Sequence, residues 1–155
     1  MEEQDVAQVC LNGHTTNSYT QTLPHNNKNF CPQCGEKTIT VCQSCNHPIR
    51  GKSPSLALIA YHAPSFCESC GSPFPWTSRG IQAAIDLAEV ELEEADKEMF
   101  EQNIGELVKD SPQTKVAAAR IKKIIGKVGG TFGDSVREII VDIASETAKK
   151  AIWGK

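Results

Sequence analysis

Three Cys-x-x-Cys pairs, Cys31-Pro-Gln-Cys34, Cys42-Gln-Ser-Cys45 and Cys67-Glu-Ser-Cys70, constrain this chain more than any other feature. Each puts two sulfurs on one tight turn, the arrangement of a zinc knuckle. The seventh cysteine opens Cys10-Leu-Asn-Gly-His14, where an imidazole stands in for the missing thiolate and Gly13 relieves the bend. Eight ligands complete two tetrahedral sites. The odd cysteine count argues against a disulfide framework. Met1 to Asp5 carries three acids and no base, unlike a secretory signal, and no apolar run approaches the ~20 residues needed to cross a bilayer. The expected location is the reducing cytoplasm, where paired thiols serve as metal ligands.

Sequential pairing predicts a first site of Cys10, His14, Cys31 and Cys34 and a second of Cys42, Cys45, Cys67 and Cys70. The knuckles are then separated by 16 and 21 residues, close to the ~15 to 20 of a zinc ribbon. A RING-like cross-brace would pair alternate knuckles, but seven residues, Gly35 to Val41, separate the middle pair, which favours ribbons. The expected cofactors are two structural Zn²⁺ ions. Iron is the rival at the second, all-cysteine site, because four thiolates accept either metal, whereas the nitrogen of His14 favours zinc at the first. His25, His47 and His62 lie in loop-like sequence and read as solvated.

All seven cysteines, all four histidines and seven of the eight prolines precede Trp76. Two domains are expected, a double zinc ribbon over residues 1–76 and a helical domain over residues 77–155. The fold class is small α+β: two tandem ribbons of short β-hairpins and knuckles, then a C-terminal bundle of three or four helices. Strands are expected at Thr38 to Val41 and Ser55 to Tyr61, and Phe30, Phe66, Phe74 and Trp76 as ribbon core. So little apolar surface means that metal must supply much of the folding energy.

After a cap at Thr77 or Ser78, Ile81, Ala84, Ile85, Ala88, Leu92, Ala95 and Met99 share a helical face. Phe100, Ile104 and Leu107 lie about 100° away from it, which predicts a break between Glu93 and Met99. From Gln113 to Val128 a second helix sets Ala117, Ala118, Ile121, Ile124, Ile125 and Val128 opposite Lys115, Arg120, Lys122, Lys123 and Lys127. Gly129, Gly130 and Gly133 are expected to stop it. A cap at Asp134 or Ser135 then starts an apolar face of Val136, Ile139, Ile140, Ile143, Thr147 and Ala151.

The formal charge is −3, and its distribution bears on partners. Residues 1–80 balance, residues 81–110 carry ten acids against Lys97 and Lys109, and residues 111–133 carry five bases and no acid. The basic stripe is a candidate for an anionic partner, but packing against the acidic segment explains it more simply. Two metallated sites would shift the cysteine half to about −3, which disfavours nucleic acid, and a membrane is not expected. No catalytic motif is complete: Gly51-Lys52-Ser53 lacks the earlier glycine of a phosphate-binding loop, where Asn46 stands. Four-ligand zinc sites also leave no open position for substrate.

Asp5-Val-Ala-Gln-Val-Cys10-Leu-Asn-Gly-His14, Phe30-Cys31-Pro-Gln-Cys34-Gly35, Cys42-Gln-Ser-Cys45, Pro48-Ile-Arg-Gly51 and Phe66-Cys67-Glu-Ser-Cys70-Gly71 together resemble a bacterial double zinc-ribbon family known only as a domain of unknown function. Val141-Asp-Ile-Ala-Ser-Glu-Thr147 is similar to its last helix. The resemblance implies metal sites and bacterial origin, and no reaction. The expected function is a non-enzymatic zinc-binding adaptor: ribbons present a recognition surface, and helices dock a protein partner or a second copy in a homo-oligomer. The alternatives are a nucleic-acid-binding zinc-ribbon regulator and, further off, a membrane-associated effector acting through the basic helix.

Overall fold

The computed structural model describes residues 4–56 and 58–154. Two compact units divide between Ser78 and Arg79. The first is built on a three-stranded antiparallel sheet of order β2-β1-β3, with β1 Gln8–Cys10, β2 Thr15–Asn17 and β3 Thr38–Ile39. The central strand alone is buried throughout. Upstream of it, Val6 bridges Arg50 and the Ala7 amide donates to the Ile49 carbonyl, so this segment runs beside the one that follows the Cys42–Cys45 knuckle. A single small core of Ala7, Val9, Ile39, Cys42, Ile49, Cys67 and Phe74 results.

Two expectations fail in this unit. Ser55 to Tyr61 is not a strand: Pro54–Leu56 forms a 3-10 turn, since Pro54 lacks the N–H that a ladder needs. Ala57 lies outside the described residues, and Leu58 and Ile59 project into solvent. Phe30 is not core either. It is 64% exposed, because its backbone bridge to Lys37 closes a knuckle and turns the ring outward. Phe74 is buried, with Trp76 stacked on it at 4.7 Å and Phe66 half-buried.

The second unit is a helical bundle with one core, in which Phe100, Ile104, Leu107, Ala117, Ala118, Ile121, Ile124, Phe132, Val136 and Ile140 are buried. Its elements are α1 Pro75–Glu91, whose first four residues belong to the first unit, α2 Glu94–Ile104, α3 Pro112–Val128, α4 Gly130–Ile143 and α5 Glu146–Trp153. Helix α1 opens at Pro75, whose fixed φ suits a first helical turn. Thr77 does not cap it; its hydroxyl donates to the Ser65 carbonyl at 2.8 Å.

The break before α2 falls at Leu92–Glu93, the edge of the expected window, with Glu93 extended. It rotates Phe100 and Ile104 into the core and leaves Ala95 and Met99 exposed. Ser111 caps α3 by accepting from the Gln113 amide while its own amide donates to Thr114 Oγ1. The glycines do not open a gap after α3. Gly129 and Gly130, at φ 65° and 55°, turn the chain within two residues, and α4 begins at once. Phe132 can then meet Phe100 edge-on at 6.0 Å. Three or four helices become five, because extended Ala144 and the cap Ser145, whose hydroxyl accepts from the Ala148 amide, split off α5.

Candidate metal centres

The three Cys-x-x-Cys turns are built alike, and the sequence shows why. In each, the first cysteine's amide donates to the carbonyl five residues on: Cys31 to Glu36, Cys42 to His47 and Cys67 to Ser72, at 2.8 to 2.9 Å. That carbonyl belongs to the residue after one with positive φ, namely Gly35 (77°), Asn46 (63°) and Gly71 (77°). Only Gly, or Asn with its short side chain, adopts this conformation cheaply. The residues flanking each turn form a bridge, Phe30 with Lys37, Val41 with Pro48 and Phe66 with Pro73. The fourth knuckle is the hairpin between β1 and β2, in which the Cys10 amide donates to the His14 carbonyl.

This scaffold brings together Cys10, His14, Cys31 and Cys34, and separately Cys42, Cys45, Cys67 and Cys70, with the ligand atoms of each set within 4.8 Å of one another. The arrangement is sequential, not cross-braced. Cys10 and Cys34 sulfurs stand 3.7 Å apart, Cys42 and Cys70 3.8 Å, and Cys45 and Cys67 3.7 Å. Disulfide sulfurs would be about 2.05 Å apart, whereas four thiolates about 2.3 Å from a shared ion at tetrahedral angles stand about 3.8 Å apart. His14 offers Nδ1, at 3.5 Å from Cys10 Sγ and 3.6 Å from Cys31 Sγ. Both sets therefore fit a tetrahedral ion.

Amide donors surround the sulfurs. Backbone N–H groups of Asn12, Gln33, Ser44 and Ser69 point at Cys10, Cys31, Cys42 and Cys67 from 3.3 to 3.4 Å. Asn12 adds a side-chain donor, its Nδ2 lying 3.4 Å from Cys34 Sγ. The Glu36 amide and then Asn12 lower Cys34 to about 6. The Ser72 hydroxyl and amide likewise lower Cys70 to about 6. Burial pushes Cys10 up. A hydrogen bond from the His47 amide lowers Cys45, but partial desolvation and the neighbouring Cys70, Cys67 and Cys42 thiols together outweigh it and raise Cys45 to about 11. Each set thus contains one thiol held toward the thiolate, the form that binds metal.

The sequence did not single out Asn12, although its place inside a knuckle was the available signal. Nor did it anticipate the brace between the second and third Cys-x-x-Cys turns, where Glu68 contacts Arg50 at 3.0 Å and His47 at 3.5 Å. Asp5 is a further structural residue: buried, it accepts amide hydrogens from Val6, Gln21 and Thr22 at 2.7 to 3.0 Å. Burial alone would raise its pKa, but the Thr22 side chain and these amides hold it below the ordinary 3.8. His25 and His62 are exposed and stand apart from both sets.

All five residues of the basic stripe lie exposed along α3. Lys127 reaches Asp96 of α2 at 3.0 Å, and Arg120 donates to the Asn103 side chain at 3.2 Å. No ion pair engages Lys115, Lys122 or Lys123 among the described residues. The expected pairing with the acidic segment is thus made by one lysine. None of the described helices is long and apolar enough to cross a membrane.

Comparison with known families matches residues 3–152 to one described as an uncharacterized protein conserved in bacteria (DUF2321), and the chain belongs to that family. Comparisons with curated proteins and with solved structures found no match.

Proposed function

We propose that this member of the bacterial family is a non-enzymatic, zinc-binding adaptor of the cytoplasm. Two structural zinc ions would hold its N-terminal unit in shape for recognition, and its helical unit would dock a protein partner. The observation that carries the reading is the use of all eight ligands by two fourfold sets. A closed tetrahedral site has no position left for water or substrate, so its ion contributes folding energy rather than chemistry. Cys10, Cys31, Cys34 and His14 Nδ1 would hold the first ion, and Cys42, Cys45, Cys67 and Cys70 the second. The nitrogen ligand favours zinc over iron at the first site, and the same choice is proposed at the second.

Elemental analysis of fully reduced protein isolated from its native host tests this. Two zinc ions per chain are expected, with no visible absorption. One zinc per chain, or a rubredoxin-like spectrum, would overturn the two-zinc reading. Hydrolytic or transfer activity that depends on either ion would overturn the adaptor reading.

A further inference from the structure

We propose that the outward face of α3 is a docking surface for a second copy of this chain, specifically for the acidic outward face of the partner copy's α1. The proposal rests on the adaptor reading and names the partner of its helical unit.

The fold leaves much of the charge on two helices without an ion pair among the described residues. Residues 111–133 hold five bases and no acid, and residues 81–110 are strongly acidic. Yet the one ion pair joining the two segments among the described residues is Lys127 with Asp96. On α3, Lys115, Lys122 and Lys123 lie on the side opposite the buried Ala117, Ala118, Ile121 and Ile124, and Val116 among them is 40% exposed. On α1, Asp86 and Glu89 occupy the face opposite the buried Ala84 and Ala88, Val90 beside them is 79% exposed, and the exposed Glu93 follows in the extended turn before α2. Neither Glu89 nor Glu93 makes an ion pair among the described residues: Lys97 contacts Glu94 at 3.1 Å, and Glu89 acts on that lysine only through space. Each face therefore sets an exposed valine among charges mostly of one sign, Arg79 at the start of α1 being the exception, and the prevailing signs are opposite.

A second copy suits this face better than the other anionic surfaces do. A bilayer would need the apolar side of α3, which is already buried in the bundle. A nucleic acid would meet three free lysines on a chain of net charge −3 that lacks a broad basic field. A second copy offers exposed carboxylates of opposite charge, with a valine, Val90, to cover Val116. Opposed charges of this kind set register and encounter rate more than affinity, so the association is expected to be weak and salt-sensitive.

Sedimentation velocity on the full, zinc-loaded chain at about 100 µM tests it, at salt where the Debye length is about 10 Å and then about 3 Å. At low salt the mass should exceed the 16.9 kDa of one chain, and at high salt it should return to that value. Lys122→Glu with Lys123→Glu should weaken association at least about tenfold, and Glu89→Lys with Glu93→Lys should do the same. An equimolar mixture of the two double variants should recover it, because both opposed faces are then complementary again. Should a reversal unfold the bundle by circular dichroism, the Lys→Gln and Glu→Gln pairs replace it, both being expected to weaken association.

A monomeric wild type at low salt, wild-type association by either variant, or failure of the mixture to recover would each overturn the proposal. So would a lysine variant whose only loss is retention on poly(U) RNA or phosphatidylserine vesicles. Metal content is measured on the same samples: a monomer carrying two zinc ions overturns self-docking and leaves the adaptor reading standing, whereas missing metal counts against the latter.

Discussion

Replacing Cys67 with serine, or withdrawing metal with a chelator, should unfold the first unit and leave the second almost untouched. Among the described residues no strand of the first unit is longer than three residues, and the buried aliphatic members of its core are Ala7, Val9, Ile39 and Ile49. Structural zinc contributes about 10 to 16 kcal/mol per site. That is as large as the whole stability of an ordinary domain, about 5 to 15 kcal/mol, so losing one ion should suffice. Cys42 and Cys67 belong to the core shared with β1 and β3, so opening the second site should also loosen the first. The helical unit packs around its own buried cluster. Its expected loss is the opening turn of α1, where the Thr77 and Ser78 amides donate to the Phe74 carbonyl. That is about four residues of a 17-residue helix. In a Trp153→Phe background, Trp76 fluorescence reports the first unit through its stacking on Phe74, and ellipticity at 222 nm reports the helices. Fluorescence should change fully on chelation while ellipticity falls by less than about a tenth. A single transition shared by both signals would show that the units unfold as one and refute the reasoning.

Ile121→Ala, at a fully buried position of the helical core, should destabilise that unit by about 2 to 5 kcal/mol in thermal melts while metal content stays constant. Asn12→Ala removes the side-chain donor to Cys34. It should weaken the first site about 10- to 100-fold in competition with a chromophoric chelator, and leave the second unchanged. Asp5 has a folded pKa below 3.8, so its stabilisation is complete above that value and is lost as pH falls through the folded pKa. Asp5→Asn should therefore destabilise the first unit at neutral pH and reduce its dependence on pH below about 4, read by Trp76 fluorescence in the Trp153→Phe background.

Ligand positions were legible because knuckle geometry is local: spacing and a following Gly or Asn define each turn without reference to distant contacts. The α3 boundaries were equally legible, since Ser111-Pro112 and Gly129 carry their own start and stop chemistry. The misread elements are those in which distant contacts outweigh local pattern. The apolar run at Ser55 to Tyr61 promised a strand, but among the described residues it finds no neighbour to pair with beyond Pro54. Phe30 looked like core by composition, yet the closure of its knuckle fixes its direction. Gly129-Gly130 looked like a gap, but burial of Phe132 against Phe100 keeps the chain helical immediately after the turn. Asp5 had no period to betray it and Asn12 only its place inside a knuckle, because their value lies in amides and sulfurs brought near by folding.

The closure of each knuckle by its own bridge also bears on protein engineering. Val41 with Pro48 and Phe66 with Pro73 shut their turns independently, and between them, past the anchored Ile49 to Ser53 and before Tyr61, the exposed stretch around Leu58 and Ile59 is a tether whose length is weakly constrained. Doubling a flexible tether costs only about 0.6 kcal/mol in closure entropy. Around Leu58 and Ile59, where no described core contact would be disturbed, a passenger such as an epitope or a fluorophore-binding peptide could be spliced in. The metal-binding turns on either side would then serve as a clamp that presents it.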